Sequence, residues 1–159
     1  MMMLALFTAF SAVAAPDVSA SLHQELLGRD TFPGCSAIAQ LGPWTDVREA
    51  LVRETQVAEP AWVPMRAAEC VLVRLVDDPR AEDLARTWLA DPETPGFALM
   101  VVRQLNGLPE ERAVSLAELA VKRLSTDERF ARRARPLLEQ SVYGRVRTLV
   151  TAPTVPASP

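Results

Sequence analysis

Apolar positions recur at helical spacing along most of the chain. After Asp78-Pro79 they fall at i, i+3, i+4, i+7 and i+8, at Ala81, Leu84, Ala85, Trp88 and Leu89. Because an α-helix completes a turn every 3.6 residues, this spacing predicts one apolar stripe that a neighbouring helix must cover. A second stripe follows Pro109, and the segment 97–102 is apolar on all sides, as in a helix packed between others. We predict an all-α fold.

Prolines and small polar residues mark where these helices begin. Proline is well tolerated in the first turn because its missing N–H has no partner there in any case. The predicted starts are Asp78-Pro79, Thr94-Pro95 and Leu108-Pro109, with Thr45 as the cap of an earlier helix and Ser125 and Glu128 as a capping box.

Other signals predict helix ends and irregular segments. Asn106-Gly107 predicts a left-handed stop, and Pro136 predicts a kink or an early helix end. The alternation of Val146, Thr148 and Val150 predicts an extended end of the chain. Short helices are expected over 21–28 and 33–41.

The helix starts near 45, 79 and 109 are 34 and 30 residues apart, which is the spacing of a helical solenoid. The stretch Val63-Pro64-Met65-Arg66-Ala67-Ala68, with the leucines and Asp77-Asp78-Pro79 that follow it, resembles HEAT repeats of the short bacterial form. The resemblance covers residues 45–141 and implies a short α-solenoid of about three antiparallel helix pairs. It also implies that Arg66 fixes an inter-repeat turn, with Arg129 its equivalent two repeats later. The alternative is an irregular helical bundle.

The first sixteen residues carry no charge and run from an apolar stretch into small residues. They resemble a secretory signal peptide, with cleavage expected before Ala15 or Ser21. A buried N-terminal helix is the alternative, since a basic n-region is missing.

We divide the chain into a leader (1–20), an N-terminal segment (21–44), a repeat domain (45–150) and a Pro-rich tail (151–159) expected to be disordered. We expect no membrane span and an exported protein, periplasmic or secreted.

Cys35 and Cys70 form an even pair, which export would allow to become a disulfide. The alternative is two buried thiols. Their spacing matches neither a redox CxxC nor a zinc site, and the chain has a single His. We therefore predict a disulfide and no metal site.

Charge and motif searches disfavour several function classes. With 17 Lys and Arg against 20 Asp and Glu, the net charge is −3, so a nucleic-acid partner is not expected. The sequence contains no GxGxxG, GxxxxGK[ST], HExxH or GxSxG motif. We predict no cofactor, no catalytic residues and no enzymatic activity.

Two features are candidates for binding a partner protein. Arg129, Arg132 and Arg133 lie on adjoining turns of one predicted helix, where they could bind carboxylates; a solvated face balanced by nearby acids is the alternative. Trp44 and Trp62 could anchor a partner if they are exposed.

The sequence thus predicts an exported repeat protein that binds another protein. The alternatives are a small exported enzyme or enzyme subunit using Arg and carboxylates, or a purely structural domain.

Export makes a direct prediction about the N-terminus of the mature protein. Protein recovered outside the cytoplasm should begin at Ala15 or Ser21, which N-terminal sequencing or intact-mass measurement would show. Intact Met1 on cytosolic material would contradict it.

Overall fold

The computed structural model describes residues 18–151. Over this range the chain folds into α-helices joined by short loops, without a strand, which confirms the all-α prediction. The helices are α1 (Val18–Leu27), α2 (Cys35–Ile38), α3 (Trp44–Glu54), α4 (Trp62–Leu72), α5 (Pro79–Ala90), α6 (Pro95–Gln104), α7 (Glu110–Leu124), α8 (Glu128–Glu139) and α9 (Gly144–Thr151), with a 3-10 turn over Leu105–Gly107 between α6 and α7.

The proline signals locate helix starts closely. Pro79 and Pro95 are the first residues of α5 and α6, and α7 begins one residue after Pro109. Asp78 caps α5 by accepting a hydrogen bond from the backbone amide of Arg80 at 3.0 Å. These predicted starts are confirmed. They could be located from the sequence because the fixed φ angle of proline and a capping side chain both act within the first turn of the helix.

Two predicted caps are wrong. Thr45 lies inside α3, which begins at Trp44 after Pro43. Ser125 ends α7, whereas Asp127 caps α8 and accepts the amide hydrogen bond of Phe130 at 2.9 Å. The amides of 126 and 127 still bond back to the carbonyl of Arg123, so the preceding helix holds Ser125 and the next helix opens only afterwards.

The predicted stop at Asn106-Gly107 is correct in place but not in conformation, and the predicted extended end is wrong. Gly107 lies in the 3-10 turn without a positive φ, and the Asn106 side chain accepts hydrogen bonds from Ser141 and the amide of Val142. The predicted extended end is helix α9, in which Val146 and Val150 are buried. Val146 and Val150 are four residues apart, and residues at that separation lie on the same face of a helix. The pattern that predicts an extended segment therefore also fits a helix.

Neighbouring helices pack in a regular order. The helices α3 and α4, α5 and α6, and α7 and α8 pack as sequential pairs. Contacts also join α4 to α6 and α6 to α8, and join α1 to α3, α5 to α7 and α7 to α9. Every described helix therefore touches a sequential neighbour or the next helix but one.

One hydrophobic core runs through these contacts. Trp88, Leu116 and Ala120 are buried as their stripes predict, and the Trp88 ring packs 5.0 Å from the ring of Phe97. Leu84 is only half-buried and borders a shallow groove between α3 and α5. The α5 stripe therefore reaches the protein surface at Leu84.

Side-chain hydrogen bonds between one helix pair and the next connect residues at a nearly constant distance along the chain. The sequence separations run from 29, between Arg86 and Ser115, to 40, between Arg66 and Leu26. Asp78 is typical, since it accepts from the indole N–H of Trp44 at 2.7 Å and from Arg48 at 3.1 Å. These bonds fasten the start of α3 to the start of α5.

The buried carboxyl of Asp78 is held ionised by those bonds. Burial alone would raise its pKa. The hydrogen bonds from Trp44 and Arg48, with the capping bond from the Arg80 amide, outweigh burial and lower the pKa below its ordinary value. Asp78 therefore acts as a charged partner in the contact between α3 and α5.

The N-terminal segment is attached to α4 in two ways. A disulfide joins Cys35 of α2 to Cys70 of α4, with Cα atoms 4.8 Å apart, which confirms the predicted bridge. Arg66 of α4 donates to the carbonyls of Leu26 and Gly28 at 2.8 Å, at the end of α1. Arg66 thus fixes the end of α1 against α4.

Truncation of Leu116 should be far more costly than truncation of Leu84. Leu116 is fully buried, so Leu116→Ala should destabilise by about 2 to 5 kcal/mol through lost transfer energy and a residual cavity. Leu84→Ala should cost clearly less, because solvent already reaches that side chain. Urea unfolding measures both, and equal losses would contradict the helix orientations described here.

Candidate partner-binding site

Helix α8 presents its arginines to solvent because its other face is anchored in the core. Phe130, Ala134 and Leu138 are buried, at the i, i+4, i+8 spacing of one helix face. Arg129, Arg132 and Arg133 are exposed. The sequence-predicted arginine cluster is therefore a solvent-facing surface on a firmly packed helix.

The three arginines line a groove between α6 and α8. The cavity measures about 550 Å³ and is bordered on the α6 side by Pro95, Gly96 and Leu99. Its base is apolar and its α8 wall is cationic. We call this cavity the arginine groove. The N-terminus of α6 borders it too, which adds the positive end of a helix dipole to the same region.

The guanidinium groups of the arginine groove have no partners within residues 18–151. Arg129, Arg132 and Arg133 make no salt bridge, side-chain hydrogen bond or ring contact with that part of the chain. Arg112, by contrast, pairs with Glu82 at 2.6 Å and Arg48 pairs with Asp78. The groove thus concentrates positive charge that the described fold itself does not neutralise.

A second cavity of about 780 Å³ continues from the arginine groove toward α7. It shares Pro95 and Arg129 with the arginine groove and adds Lys122 and Glu128. The two cavities are therefore neighbours, and the second one is lined by acidic as well as basic side chains near the start of α8, Asp127, Glu128 and Arg129. A bound segment longer than the arginine groove could extend into this second cavity.

Arg123 supports the two cavities from beneath. It is buried and donates to the carbonyls of Trp88 and Pro92 at 3.0 Å and of Asp91 at 2.6 Å, at the end of α5. It also pairs with Asp127 at 3.1 Å. These bonds fix the α5–α6 loop against the turn that opens α8, so Arg123 sets the position of both groove walls.

Arg123, rather than Arg129, makes the contact that Arg66 makes at α1. Both Arg66 and Arg123 hold the last carbonyls of an earlier helix, while Arg129 is exposed. The sequence did contain a signal for this role. Arg123 follows Leu116 by seven positions and Ala120 by three, so it lies on the buried face of α7, where a charged side chain needs a buried partner.

The charge on Asp127 depends on the same contacts. The backbone amide of Phe130 lowers the pKa of the Asp127 carboxyl, burial opposes this, and Arg123 lowers the pKa further. The net effect is a pKa below the ordinary value. Asp127 therefore remains ionised as cap of α8 and as partner of Arg123.

The two candidate tryptophans differ in exposure. Trp62 opens α4 with 38% of its surface exposed, and Arg29 lies over its ring at 5.6 Å. Trp44 is half-buried, donates its N–H to Asp78, and carries Arg74 over its ring at 5.2 Å. Trp62 offers an open aromatic surface, whereas Trp44 is already engaged between helix pairs.

The remaining sequence predictions concern the two ends of the chain, membrane spans and metal sites. The leader, up to residue 17, and the tail from residue 152 fall outside the described residues. Within 18–151 no helix is long and apolar enough to cross a membrane. No cluster of three or more His, Cys, Asp or Glu side chains in that range is placed to hold a metal ion.

Comparison with protein-family models, with curated proteins and with solved structures finds no match to this chain. The HEAT resemblance accordingly stays a prediction from the sequence. The candidate site has to be judged on its geometry and charge.

Stability at acid pH should depend on Asp127. Its pKa is lower in the folded than in the unfolded chain, so its contribution is present above the ordinary carboxyl pKa of about 4 and is lost as pH falls through the folded-state value. Asp127→Asn keeps a good capping side chain but removes the charge. The variant should be less stable than wild type at neutral pH, and the two should converge in acid.

Urea unfolding across pH measures this effect, with Glu128→Gln as the matched control. Glu128 is exposed in the first turn of the same helix and makes no bond to Arg123, so its variant controls for the loss of one negative charge at the start of α8. Identical pH profiles for wild type and Asp127→Asn would contradict the assigned role.

Proposed function

We propose that the helix pairs form a short α-solenoid of the HEAT-like kind. The support is the regular packing of α4, α6 and α8 and of α5, α7 and α9, each helix against the next but one. The nearly constant separation of 29 to 40 residues in the side-chain bonds between pairs supports it as well. In a solenoid each repeat contacts its neighbours, which produces such a fixed separation.

The proposed function of this array is to bind another protein through an acidic segment in the arginine groove, without catalysis of its own. The observation that carries the proposal is the unpaired state of Arg129, Arg132 and Arg133 in one groove. Guanidinium groups bind carboxylates through paired, charge-assisted hydrogen bonds. An acidic segment would neutralise the local charge, and the apolar base would cover its backbone.

We further propose that the protein acts outside the cytoplasm. The Cys35–Cys70 disulfide supports export, because disulfides persist in oxidising compartments. Cleavage before Ala15 leaves α1 whole, whereas cleavage before Ser21 removes its first three residues, including Val18, which packs against the core. We therefore place the mature start at Ala15.

Loss of the groove charges should weaken partner binding. A partner is first captured from the exported fraction with the wild-type protein as bait, and its affinity is then measured for wild type and for Arg129→Gln, Arg132→Gln and Arg133→Gln combined. Gln and Arg have similar helix propensity, so the helix should remain intact. Affinity should fall at least tenfold, about 1.4 kcal/mol, and wild-type affinity should fall as salt rises.

A second triple variant separates the groove from overall charge. Arg53, Arg80 and Arg103 are exposed, and within 18–151 their side chains have no partner. Their combined replacement by Gln makes the same change in net charge outside the arginine groove. Equal weakening by both triple variants, or no weakening by the groove variant, would overturn the proposed site.

A further inference from the structure

An apolar surface continues from the arginine groove across α6 to α4. Gly96 lines the groove, and a β-carbon placed on Gly96 would lie 3.4 Å from Sδ and 3.6 Å from Cε of Met65. The Met65 side chain of α4 therefore lies against the α6 edge of the groove.

Met65 and Trp62 extend this surface along α4. They are three residues apart on one helix face and are 37% and 38% exposed. Arg29 lies over the Trp62 ring and limits the apolar surface at its far end. We call Trp62, Met65, Gly96 and Leu99 the apolar strip, since these residues lead from α4 to the arginine groove.

We propose that the partner segment carries an apolar side chain beside its carboxylates, the apolar group docking on the apolar strip and the carboxylates on the arginine groove. This inference rests on the proposed function, because the arginines must first select an acidic segment. The distribution of side chains supports it, since Trp62 and Met65 are exposed on α4, whereas the exposed groove residues of α8 are arginines. A segment that is acidic throughout would leave the apolar strip uncovered.

The size of the surface fits a short extended segment. Helix α4 packs on α6, and α6 packs on α8. Packed helices lie about 8 to 10 Å apart, so the distance from α4 to α8 is about 18 Å, which roughly six extended residues span. Methionine suits such a site because its flexible thioether adapts to differently shaped apolar partners.

Two fluorescein-labelled peptides of about ten residues test the inference by fluorescence anisotropy. Both peptides carry the same three glutamates. Two residues before the first glutamate, one peptide has Leu-Phe and the other has Ser-Ser. The Leu-Phe peptide should bind wild type about tenfold more tightly than the Ser-Ser peptide. Met65→Gln and Trp62→Gln should each remove most of that preference and leave the affinity for the Ser-Ser peptide unchanged.

Val142→Gln is the matched control, because Val142 is 65% exposed in the loop between α8 and α9, away from the apolar strip. It should keep the full preference. Equal affinity of wild type for the two peptides, with both still dependent on the groove arginines, would overturn this inference and leave the proposed function standing. Binding that survives replacement of Arg129, Arg132 and Arg133, or no binding of either peptide, would overturn the proposed function as well.

Discussion

The hydrogen bonds that arginine side chains donate to the last carbonyls of other helices hold this protein together. A helix leaves its last four carbonyls without intrahelical partners. Arg66 satisfies the end of α1, and Arg123 satisfies the end of α5. A guanidinium group presents several N–H donors in one plane, so a single side chain can bind two or three carbonyls, which a lysine ammonium does with less geometric control.

Arginines occur in this region in two settings that differ in burial. Arg123 is buried and fully bonded, and it holds the turn from which α8 begins. Arg129 and Arg132 of α8 follow Arg123 by six and nine positions. Both are exposed and have no partner within residues 18–151. The buried Arg123 therefore fixes the backbone at the start of α8, and the exposed arginines follow on the same helix.

Local signals in the sequence predicted helices well and helix boundaries less well. Pro79 and the apolar stripe of α7 act within one helix, so they could be recognised without knowledge of the fold. Ser125 and Asp127 are both suitable capping residues for α8. Which of them caps the helix depends on how far α7 continues. Val146 and Val150 fit either a strand or a helix face, and packing of α9 on α7 and α8 decides between them.

The candidate site could be predicted only in part. The clustering of Arg129, Arg132 and Arg133 follows from their spacing in one helix, and it was visible in the sequence. The apolar side of the groove was not, because it depends on α6 packing beside α8, and residues such as Gly96 are some 35 positions upstream. The role of Arg123 in holding the end of α5 was missed because the groups that it bonds there are backbone carbonyls, which any sequence supplies.

The nearly constant separation of bonded residues also bears on how the chain folds. Within residues 18–151, the bonds between helix pairs reach no further than 40 positions. These bonds therefore close loops of modest length, and little loop-closure entropy is lost before they form. Within this range a helix pair can therefore acquire its side-chain partners as soon as the next pair has been synthesised.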